Sequence, residues 1–194
     1  MGGYMLEYLV RLGIYNISVC DADCFELSNI NRQLLCTTET LGCIKTQAAA
    51  ARAKCINPDV SVTAYDVNIN SQNAAQLLSG SDIAIDALDN IPDRIALEHA
   101  CEALRIPLVS AAVDRWLAQC AVVFPGDRLL ESLYPQGDSP TAAGSSGVLS
   151  FVPAVAAGLA VAQAVKLMTG KPVKRGTVIL LDTLNNTYDN MKLL

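Results

Sequence analysis

Residues 21–33 read DADCFELSNINRQ and follow YNISVC, residues 15–20, which we interpret as a short buried strand. Two aspartates, three amides and an arginine lie within these thirteen residues. A packed core cannot satisfy that many polar side chains at such close spacing. The stretch therefore predicts a polar ligand site at the point where a buried strand ends.

The composition favours one α/β domain spanning residues 1–194. The hydrophobic fraction is 52% and only 17% of the residues are charged, which excludes a disordered chain. The mean hydropathy of +0.32 suits a sheet that is buried on both faces. A net charge of −5 argues against a nucleic-acid partner, which would require a basic face.

The seven cysteines include no CxxC pair, which argues against a zinc ribbon or a thioredoxin-type motif. We expect most of them to be small core residues of a cytoplasmic protein. The N-terminus lacks the basic region and cleavage pattern of a signal peptide. Residues 147–165 are uncharged but contain Ser150, Pro153 and Gln163, so a buried helix is favoured over a membrane span.

Helical and strand patterns alternate along the chain. Helices are predicted over 3–12, 44–56, 71–78, 91–104 and 149–169. Strands are predicted over 15–20, 60–67, 82–88, 107–113, 117–124, 177–182 and 187–193. Gly13 is expected to end the first helix and Ser71 to cap the third. Residues 126–147, rich in Gly, Ser, Pro and Asp, predict a long mobile crossover loop.

These elements predict a doubly wound, Rossmann-like, mostly parallel sheet with antiparallel C-terminal strands. No helix separates 107–113 from 117–124, so that pair is expected to be antiparallel. Ligands of doubly wound sheets bind at the carboxyl ends of strands. We therefore expect DADCFELSNINRQ and DALDN, residues 86–90, to face the same crevice.

Three side chains in these segments, together with Lys45 in the helix that follows the first of them, suit a nucleoside triphosphate. Asp21 has the position of the acid that contacts ribose hydroxyls in nucleotide-binding folds. Arg32 offers a planar cation for phosphate oxygens, and Lys45 opens a helix whose free N–H groups favour anions. Asp89 could hold Mg²⁺ through one carboxylate, with water and phosphates as the other ligands.

Each of these residues also has a purely structural interpretation. Asp21 could cap a turn, Arg32 could pair with Asp23 or Glu26, and Lys45 could be an ordinary lysine at a helix start. The sequence leaves these alternatives open.

Two further polar residues are interpreted as structural. Asp86 is expected to have no catalytic role. His99, the only histidine, is predicted mid-helix as a surface or packing residue, which makes general-base catalysis by histidine improbable.

Four segments resemble, in order and spacing, the ThiF/MoeB/HesA family, the bacterial relatives of ubiquitin-activating enzymes. The SNxxRQ element after a DxD strand is specific to that family, and the resemblance covers nearly the whole chain. The segments are DADCFELSNINRQLL, LGCIKTQAAAARAKCINPDV, DIAIDALDN and PLVSAAV.

The resemblance implies an adenylyltransferase that uses ATP and Mg²⁺. Its substrate would be the C-terminal Gly-Gly carboxylate of a ubiquitin-like sulfur carrier protein, similar to ThiS or MoaD. The acyl-adenylate would serve sulfur transfer in thiamin or molybdopterin-type cofactor biosynthesis. The family also implies a homodimer. The cysteines, the net charge and the residue types given above indicate a cytoplasmic protein with no nucleic-acid or membrane partner.

The resemblance also implies a role for individual residues. Asp21 would bind ribose, and Asn29, Arg32 and Gln33 would bind phosphates. Three more assignments complete the site: Lys45 near the α-phosphate, Asp89 on magnesium, and Gly2 as the last glycine of the GxGGxG loop.

The chain departs from the family pattern at three places. The first strand and most of the glycine loop are missing, which would leave unpaired backbone groups beside the site. We expect Met1 to be an internal methionine of a longer protein, or another segment to fill the gap. The CxxC pairs of many relatives are absent, so we expect no zinc. SPTAAGSSGVL, residues 139–149, lacks the cysteine that relatives use for covalent transfer.

Three functions remain in competition. Adenylation of a carrier protein is the leading one, with residues 126–147 clamping the carrier tail and disordered without it. A second is a non-catalytic module that dimerises or binds a carrier without ATP. An NAD-dependent oxidoreductase on the same fold is the third, although a nicotinamide site does not require SNINRQ.

Overall fold

The computed structural model describes residues 1–135 and 147–194. They form two compact units, Met1–Ile69 and Asn70–Leu194, and each unit is described by itself.

The first unit contains two α-helices, a short 3-10 helix (Leu27–Asn29) and a two-stranded parallel sheet. Strands β1 (Asn16–Cys20) and β2 (Ser61–Tyr65) pair in register from Asn16 opposite Ser61 to Cys20 opposite Tyr65. Helices α1 (Gly2–Arg11) and α2 (Lys45–Ile56) pack on each other. Their shared core consists of small and branched apolar residues: Leu6, Val10, Ala49, Ala53 and Val60.

Local sequence explains where these two helices end. Gly13, two residues after α1, has a φ of +83°, a left-handed conformation that glycine adopts without strain. Helix α2 ends at Ile56 because Pro58 disfavours the helical conformation for the residue before it, Asn57. The predicted bounds of α1 and α2 agree with the structure to within one residue at each end.

The second unit contains a five-stranded sheet in the order β3-β4-β5-β6-β7. Strands β3 and β4 are parallel, whereas each later pair is antiparallel. The strands are β3 (Ala84–Asp86), β4 (Leu108–Asp114), β5 (Leu117–Val123), β6 (Thr177–Asp182) and β7 (Thr187–Lys192). The helices are α3 (Ala74–Leu77), α4 (Ile91–Leu104), α5 (Leu129–Leu133) and α6 (Val152–Met168).

The predicted α/β class is confirmed, with parallel pairs early in the chain and antiparallel strands towards its end. The antiparallel pairing of β4 with β5 is confirmed as well. Helix α4 has the predicted bounds. Helix α6 packs on β4 and β5 and buries Ala156, Ala160 and Ala164.

Ser71 is not the cap that the sequence predicted, since α3 begins only at Ala74 with Asn73 as its N-cap. The side-chain oxygen of Asn73 accepts a hydrogen bond from the Asn70 N–H at 2.8 Å, and that of Asn70 accepts one from the Gln72 N–H at 2.9 Å. These bonds fold residues 70–73 into a turn, so the helix starts later.

Two predicted loop and helix bounds also need correction. Residues 126–147 are not one continuous loop, because α5 forms within them and buries Leu129 and Leu130. Helix α6 begins at Val152, three residues after the predicted start at 149. The part of the predicted loop at residues 136–146 lies outside the described residues.

The expectation that most cysteines are core residues is wrong. Only Cys36, Cys101 and Cys120 are buried, while the other four are partly or fully exposed. Exposed Cys24 is located in the polar stretch after β1. All seven thiols are free.

Within the described part of the chain, every helix is too short or too polar to cross a membrane.

Candidate active site in the first unit

The stretch after β1 is tied to the start of α2 by a short antiparallel ladder. The Lys45 N–H donates to the Asp23 carbonyl at 2.9 Å, and the Phe25 N–H donates to the Cys43 carbonyl at 2.9 Å. A third bond runs from the Gly42 N–H to the Phe25 carbonyl at 2.8 Å. Buried Phe25 anchors this ladder, which places Asp23 opposite Lys45.

The ammonium of Lys45 lies between two carboxylates at the carboxyl end of β1. Its Nζ is 2.7 Å from Asp23 Oδ2 and 3.7 Å from Asp21 Oδ1. Asp21 Oδ1 also accepts the Asp23 N–H at 2.9 Å, so Asp21 caps a turn as well. Only 15% of the Lys45 side chain is exposed, so solvent screens this ammonium less than that of a surface lysine.

Arg32 has no acidic partner among the described residues. Its Nη1 donates to the Ser28 carbonyl at 2.7 Å and to Asn31 Oδ1 at 3.1 Å. Neither of the alternative ion pairs, with Asp23 or Glu26, forms among the residues that the structure describes. The guanidinium is therefore held in place by neutral groups, and its charge is available to an anion.

Asn29 folds the turn that carries Arg32. Its Oδ1 accepts the Glu26 N–H at 3.2 Å, and its carbonyl accepts the Gln33 N–H at 2.9 Å. Asn29 is 8% exposed, which is typical of a residue that stabilises a turn. Gln33 is half-buried on the same turn.

The start of α1 lies within electrostatic range of these charges. Burial foremost, followed by the cations Arg32 and Lys45, lowers the pKa of the Met1 α-amino group to about 6, and Asp21 acts in the opposite direction. Gly2 opens α1, where backbone N–H groups lack partners within the helix.

Sequence reasoning missed Asp66, which follows β2 directly. Its carboxylate accepts hydrogen bonds from Thr46 Oγ1 and, at 3.0 Å, from Gln47 Nε2. These two bonds, the one from Thr46 foremost, lower the pKa of Asp66. They connect the end of β2 to the first turn of α2, beside Lys45. The predicted strand over 60–67 enclosed Asp66, so the local sequence did not mark it as an acid at a strand end.

Gly3 was missed as well. A Cβ at Gly3 would lie 2.9 Å from Leu35 Cγ, closer than side chains tolerate. Glycine therefore lets the start of α1 approach the segment that follows Arg32.

Asp89 belongs to the second unit, in the loop between β3 and α4. Its side chain is exposed. Asp86, three residues earlier, is 1% exposed and accepts the Ser110 hydroxyl at 2.7 Å, in agreement with the structural role expected of it. Burial raises the pKa of Asp86, and the nearby Arg94 guanidinium opposes that shift.

His99 lies on the exposed side of α4, and its Nε2 is 2.7 Å from Glu131 Oε1. Of the two positions expected for the only histidine, at the surface or in packing, the surface position is observed.

Two curated relatives match nearly the whole chain. The sulfur carrier protein adenylyltransferase of Thermus thermophilus is 35% identical over 199 residues, which cover 97% of this chain and 73% of that protein. The SAMP-activating enzyme E1 of Haloferax volcanii is 28% identical over 195 residues, which cover 98% and 72% respectively.

A solved structure of Escherichia coli MccB with ATP has the same fold. Its TM-score is 0.82 at 20% sequence identity, over 99% of this chain and 61% of that one. This chain therefore spans about three fifths of the MccB chain. The sequence pattern of the ThiF family extends over residues 1–194. Since that match covers the whole chain, and the relative from Thermus thermophilus exceeds 30% identity, this protein belongs to the ThiF family.

Proposed function

We propose that this chain uses ATP to adenylate the C-terminal carboxylate of a ubiquitin-like sulfur carrier protein. The observation that supports this most directly is the cation arrangement of the first unit: Lys45 between Asp21 and Asp23, and Arg32 without an acidic partner among the described residues. The names of the two curated relatives, one an adenylyltransferase and one an activating enzyme, support the same reaction.

The chemistry requires charge neutralisation rather than a base. A C-terminal carboxylate is ionised at neutral pH and can attack the α-phosphorus directly. A carboxylate oxygen then bonds to phosphorus, the bond from phosphorus to the bridging oxygen breaks, and pyrophosphate leaves with that electron pair. Negative charge grows on the phosphate oxygens, where Lys45 and Arg32 would stabilise it.

The remaining assignments follow the placement of each residue. Asp21 is proposed to bind the ribose hydroxyls. Arg32 and Gln33 are proposed to bind the phosphates. Asn29 would hold their turn and add its amide N–H₂ to the phosphate contacts. Gly2 would offer its backbone N–H at the start of α1.

Asp89 is proposed as the protein ligand of Mg²⁺. A single exposed carboxylate fits this ion, which commonly keeps several waters and takes its other ligands from phosphates. Bound Mg²⁺ would neutralise phosphate charge and orient the pyrophosphate leaving group. We propose no structural zinc, which metal analysis of the purified protein would check.

The assembly and the cellular setting are proposals too. Seven free thiols suit a reducing compartment, and we propose a cytoplasmic homodimer. Light scattering of the purified chain would show a mass twice the 20.6 kDa of one copy.

Pyrophosphate exchange with a carrier that ends in Gly-Gly tests the proposal. Arg32→Ala and Lys45→Ala should each lower the exchange rate by roughly 10²–10³, by analogy with the loss of one oxyanion-hole donor. Lys54→Ala is the matched control, because Lys54 is on α2 as well but its Nζ donates to the Pro58 carbonyl at 3.0 Å.

Full exchange by either site variant would show that the phosphate assignment is wrong. Calorimetric titration with ATP and NAD separates the leading function from its competitors. Binding of NAD alone would indicate an oxidoreductase, and binding of neither nucleotide would indicate a non-catalytic module.

A further inference from the structure

Both backbone groups of Leu88, the residue before Asp89, are held by buried charged side chains. The Leu88 N–H donates to Asp86 Oδ1 at 2.8 Å. The Leu88 carbonyl accepts a hydrogen bond from Nη2 of Arg94. One peptide segment is thus fixed from β3 on one side and from α4 on the other.

The pair that holds Leu88 is itself almost completely buried. Asp86 is 1% exposed and Arg94 is 6% exposed, with Arg94 Nη1 at 3.3 Å from Asp86 Oδ2. Arg94 Nη1 makes no well-aligned hydrogen bond among the described residues. A buried ion pair contributes little net stability, because desolvation offsets most of its attraction. Stability alone therefore gives no reason for a charged pair beneath this loop.

The residue after Asp89 is fixed in a different way. Asn90 is the N-cap of α4: its Oδ1 accepts the Asp93 N–H at 2.9 Å, and its Nδ2 donates to Asp93 Oδ2 at 2.7 Å. Asp89 therefore lies between two anchored neighbours. Its own carboxylate is exposed and has neither a hydrogen bond nor an ion pair within the described residues.

We propose that Asp86 and Arg94 are positioning residues that hold the Asp89 carboxylate ready for a divalent cation. This inference rests on the proposed function, which assigns Mg²⁺ to Asp89. When the pair is broken, Leu88 loses one or both anchors and Asp89 samples many directions. Loss of an outer partner of a metal ligand typically lowers metal affinity by about 10–100-fold.

Three substitutions weaken the pair to different degrees. Arg94→Lys keeps the charge but cannot reach Leu88 and Asp86 with one planar group. Asp86→Asn removes the negative charge. Ser110→Ala removes one hydrogen bond to Asp86 and leaves the pair in place, so it provides a test even if the other variants unfold.

Glu98→Gln is the matched control on the same helix. Glu98 is 3% exposed, and its carboxylate accepts the Leu130 N–H at 2.8 Å and the Glu131 N–H at 3.2 Å. It thus resembles Arg94 in burial and in holding backbone, but it holds α5 instead of the Asp89 loop. Asp89→Asn serves as the reference for loss of the ligand itself.

Two readouts independent of catalysis apply. The first is amide hydrogen exchange of residues 87–90 in the ligand-free chain, measured by NMR. The second is Mn²⁺ binding to the complex of the chain with ATP, measured by electron paramagnetic resonance. Arg94→Lys and Asp86→Asn should speed exchange at 87–90 and weaken Mn²⁺ binding by about 10–100-fold. Ser110→Ala should produce smaller changes in the same direction.

Glu98→Gln should speed exchange near α5 and leave Mn²⁺ binding unchanged. Equal Mn²⁺ affinity in the unsubstituted chain and in folded Arg94→Lys or Asp86→Asn would overturn the positioning role and leave the proposed function standing. An equal loss of affinity in Glu98→Gln would overturn it as well. Failure of the unsubstituted chain to bind ATP would overturn both.

Discussion

Lys45 contributes one ammonium to two carboxylates, and the 2.7 Å contact with Asp23 is much closer than the 3.7 Å contact with Asp21. The lysine is therefore held in place without a ligand, which would lower the entropic cost of the phosphate binding proposed for it. A bound phosphate would also weaken the contact with Asp23, because one ammonium cannot keep two close anionic partners at full strength.

Gly3→Ala should disturb the site through packing alone. Its Cβ would meet Leu35 Cγ at 2.9 Å, so either α1 or the segment after Arg32 must shift. We expect ATP affinity, measured by calorimetry, to fall several-fold. Gly158→Ala is the control, because Gly158 lies in α6 and a methyl group there would meet no atom of another element within 4 Å. That change should raise the free energy of unfolding by about 0.5–1 kcal/mol.

Glu7 predicts a specific pH dependence of stability. Arg52, foremost through its hydrogen bond, and Arg11 lower the pKa of Glu7 below its ordinary value of 4.5. The folded form therefore releases this proton more readily than the unfolded form. The resulting stabilisation is present above pH 4.5 and is lost as the pH falls through the folded pKa. In denaturant unfolding, the free energy of unfolding of Glu7→Gln should fall less steeply as the pH is lowered than that of the unsubstituted chain. An equal dependence on pH in both would contradict the assignment.

At the level of elements, sequence pattern predicted the helices more reliably than the turns between them. The alanine run of α2 is a local signal, and both α2 and α4 begin within one residue of the prediction. The ladder from Asp23 to Lys45 depends on pairing between residues about twenty apart, which no local propensity reports. The contact of Asp66 with α2 was missed for the same reason.

Asp66→Ala should loosen the first turn of α2. The variant removes the acceptor for Thr46 and Gln47, so amide exchange at residues 45–48 should accelerate and ATP affinity should fall. Asp66→Asn retains one carbonyl acceptor and should show a smaller effect. If both variants bind ATP as tightly as the unsubstituted chain, Asp66 does not support the Lys45 position.

On the scale of the whole molecule, the alternation of helices and strands along the sequence predicted the α/β class. The length of the segments that connect the strands predicted the strand directions. The burial of individual residues was not, as the cysteines show: Cys55 is exposed on α2 although its neighbour Ala53 is fully buried. Helical periodicity determines which side of α2 faces the core, and cysteine is apolar enough to fit either side.

Bound nucleotide should stabilise the folded chain by mass action. At ATP with Mg²⁺ at 100 times the dissociation constant, the free energy of unfolding should rise by about 2.7 kcal/mol. Thermal unfolding with and without nucleotide measures this gain. Arg32→Ala should lose most of it at the same ATP concentration, and Lys54→Ala should keep it. If Arg32→Ala keeps the gain in stability, nucleotide binding does not depend on the Arg32 guanidinium.

The exposed thiols Cys24 and Cys43 lie on the two paired segments of the ladder that positions Lys45. A thiol-reactive dye or an oxidant would therefore modify the molecule within a few residues of the proposed phosphate-binding lysine. Under the proposed function, storage without reductant should therefore lower activity before the chain unfolds.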